Sequence, residues 1–424
     1  MAQRPQRQRH EIINRAPREA MDVFVMGANE KGQLGLGPGQ RVFTIAQSPR
    51  RNDWISDEED IVDIACGNNH CLALTDDNRV MSWGSNDHGA LGRVTHLPRN
   101  INHLAIERNT VFTQVAVSDH ASFALTETGQ VYGWGAFKYY VGENDFIDFH
   151  HVHHFYAFHP GQMEYDQHRP RRNQQYPLKI RFPGTDNPQI VQIACGANHV
   201  LALSKSGLVY SWGTNDAQIL GRRFMPRNAY RRSPRRQYVD AEQLDPYANM
   251  DHHFAPGLVA ELQNIRYVAC GANYSMANDD MQTTLPLSKT TVVATPEHPD
   301  APDGENMRVM LFPTKAPWFS GIGHRVDEPE SALKAISGSL RYGLAIRHSG
   351  WGDAWGNEHE LPSAMGVVDA DNEPVIPAVP PGNRYTQAPQ FAGWHYHRED
   401  CRFDLVATGE KHSIAVDQEG KVYV

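Results

Sequence analysis

Short apolar stretches recur along the chain and alternate with turns rich in Gly, Asn and Asp. In residues 61–92, for example, the stretches IVDIA, CLAL and RVMSW are separated by GNN and TDDN. Strands of about five residues with a turn signal every 8–12 residues are typical of all-β folds. No helical period of about 3.6 residues runs through these segments, which argues against a helical solenoid. The pattern predicts an all-β fold.

The whole pattern is itself repeated. Residues 190–221 repeat residues 61–92 almost position for position, and residues 112–135 carry the same three strands. Weaker copies begin at Ile265, Leu333 and Phe403, and GENMRVMLF (304–312) is expected to complete the fourth unit. Copies spaced by about 50 to 80 residues with three or four strands each predict a β-propeller, a ring of small sheets with short, protected edges.

The repeat pattern is incomplete at both ends. DVFVMGANEKGQLGLG (22–37) corresponds to the second half of a repeat unit, and no first half precedes it. At the other end, EGKVYV reaches Val424 midway through a strand of the repeat. We therefore expect a seven-bladed plan with an incomplete last blade, and a six-bladed closed ring is the alternative. Residues 1–20 are expected to form a basic flexible tail and residues 21–424 a single propeller domain. Long surface insertions are predicted at about 137–188, 222–262, 278–303 and 357–402.

Charge and hydropathy narrow the classes of function. The net charge of -9 excludes polyanion binding by the chain as a whole. No apolar run of about 18 residues occurs, and the N-terminal segment lacks the apolar core of a signal peptide. We expect a soluble, intracellular protein with no membrane partner. No GxSxG, HExxH or P-loop motif supports hydrolytic chemistry.

The five cysteines point to packing rather than to cross-linking. Three of them precede a glycine at the same repeat position, and none forms a CxxC pair. This pattern predicts core packing in a reducing compartment, without a disulfide framework or a zinc site. The cysteines are Cys66, Cys71, Cys195, Cys270 and Cys401.

The motifs GANEKGQLGLGPG, WGSNDHGALGR and ACGNNHCLALT resemble the regulator of chromosome condensation family of seven-bladed propellers. They are most similar to its exchange factors for the small GTPase Ran, over nearly all of residues 22–424 apart from the insertions. The resemblance implies a nuclear, chromatin-associated exchange factor that needs no cofactor and performs no covalent chemistry. Such a partner releases GDP because it binds the nucleotide-free GTPase more tightly. A non-catalytic scaffold of the same family is the alternative.

The resemblance also implies site residues. In this family the loops after the ACG strands face the GTPase, and Asp119 matches the family's catalytic aspartate. A loop aspartate also commonly forms a turn, and both interpretations stay open. A second acidic position of the family falls on Asn198, and a family histidine falls on Arg341–Tyr342. The partner-binding residues predicted from these loops are Asn68, Asn198, His199 and Arg341.

A family wedge that enters the nucleotide site corresponds to FKYYVGENDF (137–146). Phe137, Lys138, Tyr139 and Tyr140 are predicted to bind the partner there, with an ordinary surface loop as the alternative.

Histidine recurs at one repeat position, as His70, His199 and His412. A residue repeated around a ring is expected to fix a turn through a ring-nitrogen hydrogen bond. The separate cluster HHVHHF (150–155) lacks carboxylate or cysteine spacing, so we expect a flexible insertion and no metal site.

Residues 221–236 contain seven arginines and no acidic residue. Such a patch binds phosphates or acts as a nuclear localisation signal, and a solvated loop is the alternative. The family resemblance implies a Ran-type GTPase as partner, and together with this patch it makes chromatin (histones or DNA) and a nuclear import receptor expected partners. A nucleic-acid-binding protein is a third class of function. The patch residues predicted to bind are Arg222, Arg223, Arg231, Arg232, Arg235 and Arg236.

Overall fold

The structure is a computed structural model, and most of its described residues lie in short strands. It describes residues 13–15, 17, 19–37, 45–57, 59–93, 102–103, 110–137, 174–183, 188–214, 219–222, 238–240, 253–272, 274–280, 288–294, 308–310, 314–315, 333–338, 342–347, 350, 352–357, 385–391, 402–408, 413–419 and 422–423.

The first half of the chain contributes thirteen strands and two short helices. They are β1 (Phe24–Ala28), β2 (Ile45–Arg51), α1 (Asp53–Ser56), β3 (Ile61–Cys66), β4 (His70–Thr75), β5 (Val80–Gly84), the 3-10 helix η1 (Asp87–Gly89), β6 (Asn102–His103), β7 (Phe112–Val117), β8 (Ala121–Thr126), β9 (Val131–Gly135), β10 (Gln174–Lys179), β11 (Ile190–Cys195), β12 (His199–Ser204) and β13 (Val209–Gly213).

The second half continues with fourteen strands among the residues described there, and His253 and Phe254 are helical. The strands are β14 (Tyr238–Asp240), β15 (Gly257–Leu258), β16 (Ile265–Cys270), β17 (Ser275–Asp280), β18 (Ser288–Ala294), β19 (Arg308–Met310), β20 (Thr314–Lys315), β21 (Leu333–Gly338), β22 (Tyr342–Arg347), β23 (Gly352–Asn357), β24 (Tyr385–Phe391), β25 (Phe403–Thr408), β26 (Ser413–Asp417) and β27 (Val422–Tyr423).

Each complete repeat forms one antiparallel sheet. The four-stranded sheets have the orders β3-β4-β5-β6, β7-β8-β9-β10, β11-β12-β13-β15, β16-β17-β18-β20 and β21-β22-β23-β24, and β25-β26-β27 form a three-stranded sheet. The predicted all-β fold is therefore confirmed. Strands β1 and β2 pair with each other, and β14 pairs with β19. The number of blades stays a prediction.

The fourth unit differs from its prediction. Its third strand is β18, which lies in the segment that we expected to be an insertion at 278–303. The sequence SKTTVVA of this strand is rich in β-branched residues, which favour the extended backbone. Strand β19, within the GENMRVMLF segment, instead pairs with β14. The outer strands β10, β15 and β24 likewise lie within the other three predicted insertions.

In the first three repeats, the turn between the second and third strands requires the recurrent Asn or Gly. Asn78, Gly129 and Gly207 have φ angles of 65°, 77° and 77°. Only Gly, and less readily Asn, adopts this left-handed conformation without steric cost. In the first turn the Asn78 N–H donates to the Thr75 carbonyl (2.9 Å) and the Thr75 N–H to the Arg79 carbonyl (3.0 Å). The turn residues therefore fix the register of the second and third strands.

The core lies between the sheets, because the second strand of a repeat is buried on both faces. Every residue of β4, β8 and β12 is buried. Leu72 and Leu74 of β4 pack in one cluster with Phe112 and Val115 of β7. The opposite face of β4 packs in a second cluster that comprises Val23, Ile55, Ile61, Cys71, Ala73, Met81 and Trp83. The sheets of the first and second repeats thus stack face to face.

The chain divides into two compact units. One contains Met1–Ile193, Ser204–Ser206 and Phe254–Pro256, and the other contains Ala194–Leu203, Gly207–His253 and Gly257–Val424. The first unit holds the sheets β1-β2, β3 to β6 and β7 to β10. The predicted single propeller domain over residues 21–424 stays a prediction. Within the described part of the chain, no helix has the length and apolar character needed to span a membrane.

Candidate functional site

In the first three repeats, the loops between the first and second strands are two-residue turns. Each is closed by a backbone hydrogen bond: Gly67 N–H to the His70 carbonyl (2.9 Å), Ser118 N–H to the Ala121 carbonyl (2.8 Å) and Gly196 N–H to the His199 carbonyl (2.9 Å). The residues at the tips are Asn68 and Asn69, Asp119 and His120, and Ala197 and Asn198.

The Trp-Gly motif of the third strand holds these turns in place. The residue that follows the glycine donates its N–H to a carbonyl of the turn, with distances of 2.8 Å to Asn69, 3.0 Å to His120 and 2.8 Å to Asn198. A Cβ on the glycine would collide with the same carbonyl oxygens. The close approach therefore needs glycine, with φ angles of 101°, 89° and 124° at Gly84, Gly135 and Gly213.

Asp119 lies on a turn that is held by a side chain as well as by the backbone. The buried Ser118 hydroxyl accepts a hydrogen bond from the Ala121 N–H (3.0 Å), in addition to the bond that closes the turn. On the other side Gly67 leaves room for the Ser118 carbonyl, because a Cβ there would collide with that oxygen. Asp119 is half-buried. It therefore extends from a backbone whose position is fixed on both sides, although its catalytic role stays a prediction.

Two histidines that the sequence analysis did not single out lie beside this turn. The rings of His120 and His88 meet edge to face, with centroids 5.2 Å apart and an interplanar angle of 74°. His88 belongs to the NDHG segment of the preceding repeat and has φ 61°. The Asp119 turn and the NDHG segment thus lie together. The position of His120 next to Asp119 and the left-handed turn signal of NDHG could have indicated both residues.

His70 has the predicted structural role, but its partner is in the next repeat rather than in its own turn. Its Nε2 lies 2.8 Å from the Ser122 hydroxyl, which donates to the Ala90 carbonyl (2.8 Å). Because the Ser122 hydroxyl hydrogen is already donated to Ala90, the hydroxyl oxygen must accept a hydrogen bond from the Nε2–H of His70. Burial, and secondarily the charge of His120, lower the pKa of His70 to about 3, so the ring is neutral.

The same link occurs once more. His199 Nε2 lies 2.9 Å from the Ser275 hydroxyl, which donates to the Ile219 carbonyl (3.0 Å). Burial lowers the pKa of His199 to about 4. His199 and Asn198 are both buried, whereas Asn68 is exposed. Of the predicted partner-binding residues in these three turns, Asn68 is therefore the accessible one, while Arg341 and His412 lie outside the described residues.

The predicted wedge begins in the core. Phe137 is 4% exposed, and its ring stacks on Phe123 and Phe254, with centroid distances of 6.1 Å in both cases. Phe137 thus packs beneath the surface. Lys138, Tyr139 and Tyr140 lie outside the described residues, as does the HHVHHF segment. Their partner contacts stay a prediction.

Arg222 is part of the repeat and not of an exposed arginine patch. Its guanidinium donates to the His253 carbonyl (3.1 Å) and packs on Gly257, where a Cβ would collide with it. Burial lowers its pKa to about 9. Arg93 has the same place in the motif Leu-Gly-Arg and donates to the Ser82 carbonyl (3.0 Å). This internal equivalence was visible in the sequence. Outside the described residues lie Arg223, Arg231, Arg232, Arg235 and Arg236.

No group of His, Cys, Asp and Glu side chains suited to a metal ion occurs within the described ranges. What the candidate site offers is a positioned carboxylate at Asp119, two adjacent imidazoles and an exposed amide at Asn68. These groups can form hydrogen bonds and charge interactions, while partner binding by them stays a prediction.

Comparisons with known proteins agree with this picture of the fold. The chain is 26% identical over 434 residues to protein pim1 of Schizosaccharomyces pombe, covering 97% of this chain and 67% of pim1. It is 28% identical over 291 residues to the guanine nucleotide exchange factor SRM1 of Saccharomyces cerevisiae, covering 61% of this chain and 51% of SRM1. The chain thus spans about two thirds of the length of pim1, and its match covers about half of SRM1.

Solved structures share the fold. The crystal structure of Prp20p from S. cerevisiae, described with its binding properties to Gsp1p and histones, matches with a TM-score of 0.64 and 24% identity over 97% of this chain and 82% of that one. The structure of Kap60 bound to yeast RCC1 (Prp20) gives a TM-score of 0.66 at 24% identity, over 100% of this chain and 84% of that one. The fold is the β-propeller of these proteins, as predicted. Since the family profile of the RCC1-like domain matches residues 22–424, the chain belongs to the RCC1-like domain family.

Proposed function

We propose that the protein is a guanine-nucleotide exchange factor for a Ran-type small GTPase, and that it acts through the turn that carries Asp119. The observation that supports this most directly is a half-buried carboxylate on a turn held by the Ser118 hydroxyl, the Gly67 contact and the Ala136 N–H. It lies at the position that matches the catalytic aspartate of the family. The relative SRM1, itself named an exchange factor, supports the class of activity.

The mechanism requires no bond to be made or broken. A GTPase holds its nucleotide through a phosphate-binding lysine and Mg²⁺, and a carboxylate presented to either cation competes with the phosphates. Because the turn is fixed before binding, little conformational entropy is lost when the complex forms. The nucleotide-free GTPase is then bound more tightly than the GDP-bound one. By linkage, the bound exchange factor weakens GDP binding by the same factor.

The test is GDP release from a Ran-type GTPase with the wild-type chain, Asp119→Ala and Asp119→Asn. We expect both variants to slow release at least tenfold, about 1.4 kcal/mol, with the fold intact because the side chain is at the tip of a turn. Glu127→Ala is the matched control, because this carboxylate lies in the turn at the opposite end of the same strand, β8, and should leave release unchanged.

The non-catalytic scaffold makes the opposite prediction. It is favoured by Asn198 and by Arg341–Tyr342, which stand where the family has an acidic residue and a histidine. If the wild-type chain binds the GTPase without accelerating GDP release, the scaffold is the correct alternative. If release is fast but insensitive to Asp119, the exchange activity stands and the assignment of its carboxylate is wrong.

We further propose a nuclear, chromatin-associated protein that also binds an import receptor. The described binding of Prp20p to Gsp1p and histones, and of yeast RCC1 to Kap60, supports these partners at the level of relatives. In this chain the arginines of residues 223–236 provide the charge that histone-bound DNA or an acidic receptor surface would recognise.

A further inference from the structure

Two cysteines face each other across the first hairpin of the repeat at residues 61–92. Cys66 ends β3 and Cys71 is the second residue of β4, and they are directly paired in the antiparallel register. Their sulfur atoms are 3.0 Å apart, and both are free thiols. The sequence spacing CGNNHC does not form a CxxC motif, so this proximity becomes visible only when the two-residue turn is folded.

The backbone geometry suits a disulfide. Gly67 and His70 form the last hydrogen-bonded pair of the hairpin, with the Gly67 N–H on the His70 carbonyl. The next pair, Cys66 and Cys71, is therefore a non-hydrogen-bonded one, in which side chains lie closest and Cα atoms are about 4.5 Å apart. This spacing is within the range of about 4.4–6.8 Å that disulfides span. Bond formation needs a sulfur displacement of about 1 Å and no change of strand pairing.

The two thiols are chemically unequal. Cys66 is exposed and Cys71 is buried, with its sulfur 3.4 Å from the Gln33 carbonyl. The hydrogen bond from the Cys71 thiol stabilises a Cys66 thiolate and lowers the pKa of Cys66. The hydrogen bond to Cys66 and burial raise the pKa of Cys71 well above its usual value. The exposed thiol is thus the nucleophile and the buried one reacts second.

We propose that Cys66 and Cys71 are a redox modification site, at which a hydroperoxide converts the dithiol into a reversible intramolecular disulfide. The Cys66 thiolate attacks one oxygen of hydrogen peroxide, breaks the O–O bond and becomes a sulfenic acid, and the released hydroxide takes up a proton to give water. The Cys71 sulfur then attacks the sulfenic sulfur, loses its proton and displaces a second water. Two thiols are oxidised and one peroxide is reduced to two waters.

Two other cysteines of the chain serve as internal controls for the oxidation of Cys66. Cys195 and Cys270 have the repeat position of Cys66, at the end of a first strand and before a glycine. Ser275 is paired with Cys270, and Val200 has the position of Cys71 in the hairpin of Cys195. Neither of these thiols has a second thiol across its hairpin. Burial raises the pKa of both, which makes them poor nucleophiles.

The test is oxidation of the reduced full chain with hydrogen peroxide, followed by alkylation and peptide mass analysis. The wild-type peptide that contains both Cys66 and Cys71 should lose two hydrogen atoms, resist alkylation and recover with dithiothreitol. Cys195 and Cys270 should remain alkylatable over the same time. Cys71→Ser should stop at a Cys66 sulfenic acid that dimedone traps, and Cys66→Ser should not react at this site.

Cys71→Ser is a conservative probe, because Ser122 has the same repeat position and its hydroxyl lies against the Ala90 carbonyl as the Cys71 sulfur lies against the Gln33 carbonyl. Circular dichroism and thermal unfolding establish whether each variant is folded. Cys71→Ala replaces Cys71→Ser, and Cys66→Ala replaces Cys66→Ser, where the serine variant is not folded. The proposal is overturned if wild-type Cys66 stops at the sulfenic acid, or if Cys195 and Cys270 are oxidised as fast as Cys66. Neither measurement involves a GTPase, so the result is independent of the proposed exchange activity.

Discussion

Polar side chains of the first strands join consecutive repeats at defined backbone atoms. Gln114 binds both backbone groups of Ile193, with its oxygen accepting from the N–H (3.0 Å) and its nitrogen donating to the carbonyl (2.9 Å). Asp63 has the same repeat position and accepts from the Val115 N–H (3.1 Å). An ionised carboxylate has no hydrogen to donate, whereas a protonated one can reproduce both bonds of Gln114. Burial raises the pKa of Asp63 to about 6.

Asp63→Asn should therefore change how stability depends on pH. Because the pKa of Asp63 is higher in the folded state than the ordinary 3.8, the folded chain binds the proton more tightly than the unfolded one. Its contribution to the free energy of unfolding falls as pH rises from about 4 to about 6. As pH rises through this window, the free energy of unfolding of Asp63→Asn should increase relative to that of wild type by up to about 3 kcal/mol. Urea unfolding at several pH values measures this difference.

The comparison has to be made as a difference between variant and wild type. His70 and His199, whose pKa values are lowered by burial, become protonated on unfolding and destabilise the fold as pH falls below about 6.5. This change is common to both chains and cancels in the difference. A difference that is constant from pH 4 to pH 7 would contradict the raised pKa of Asp63.

At the residue scale, the sequence indicated which side chains have a distinct role more reliably than it indicated the contacts of those side chains. The repeated histidine was correctly assigned a structural role, but its partner Ser122 is 52 positions away and is brought near only by the stacking of sheets. Arg222 was grouped with neighbouring arginines by composition, although its equivalence to Arg93 marks it as a repeat residue. Phe137 matched a surface motif, and only the packing of three aromatic rings shows that it is buried.

At the scale of elements, the third strand supports the loop that precedes the second strand of the same sheet. The glycine that ends β9 lies against the His120 carbonyl, and the next N–H binds that oxygen. β5 has the same relation to the Asn69 carbonyl in the first repeat. Only the loop held by β9 contains the candidate catalytic residue, Asp119.

Gly135→Ala should therefore reduce both stability and GDP release. Alanine at φ 89° is strained, and its Cβ would collide with the His120 carbonyl, so the turn must shift. We expect a loss of about 1–3 kcal/mol in the free energy of unfolding, and a decrease in GDP release of at least tenfold. Urea unfolding and release of a fluorescent GDP analogue from the GTPase measure the two effects.

Gly84→Ala is the matched control, with φ 101° and a collision with the Asn69 carbonyl. It should lose similar stability but retain most of the exchange activity. Equal losses of activity in both variants would indicate that the first-repeat turn is as important as the Asp119 turn.

The elements themselves were well predicted where apolar runs and turn signals coincide. IVDIA corresponds to β3, RVMSW to β5, and HVLAL to most of β12. The outer strands were missed, because β15 and β20 have two residues each and follow long segments without apolar alternation. Such edge strands are held by pairing with an existing sheet rather than by their own hydrophobic pattern, so the sequence alone does not indicate them.

At the scale of the whole molecule, charge is unevenly distributed. The chain has a net charge of -9, yet residues 223–236 contain six arginines and no acidic residue. We expect a segment of this kind to bind polyanions locally, although the molecule as a whole is acidic.

Deletion of residues 223–236 should weaken binding to DNA and to an import receptor without changing GDP release. The deletion begins after Arg222 so that its contacts with His253 and Gly257 are retained. Binding of the wild-type chain should fall steeply with added salt, and the deletion should flatten that dependence. Deletion of residues 297–306, which contain no arginine, is the control. A salt-insensitive loss of binding, or a loss of exchange, would contradict this role.

The links from His70 to Ser122 and from His199 to Ser275 make the order of the repeats part of the fold. The second copy has Ala121 where its neighbours have histidine, and the third copy has Val200 where Ser122 and Ser275 stand. Moving the third copy behind the first would set His70 against a valine and leave a buried imidazole N–H without an acceptor. The copies are thus not interchangeable. A chain with its repeats in a different order should fail to assemble even though every hairpin in it is preserved.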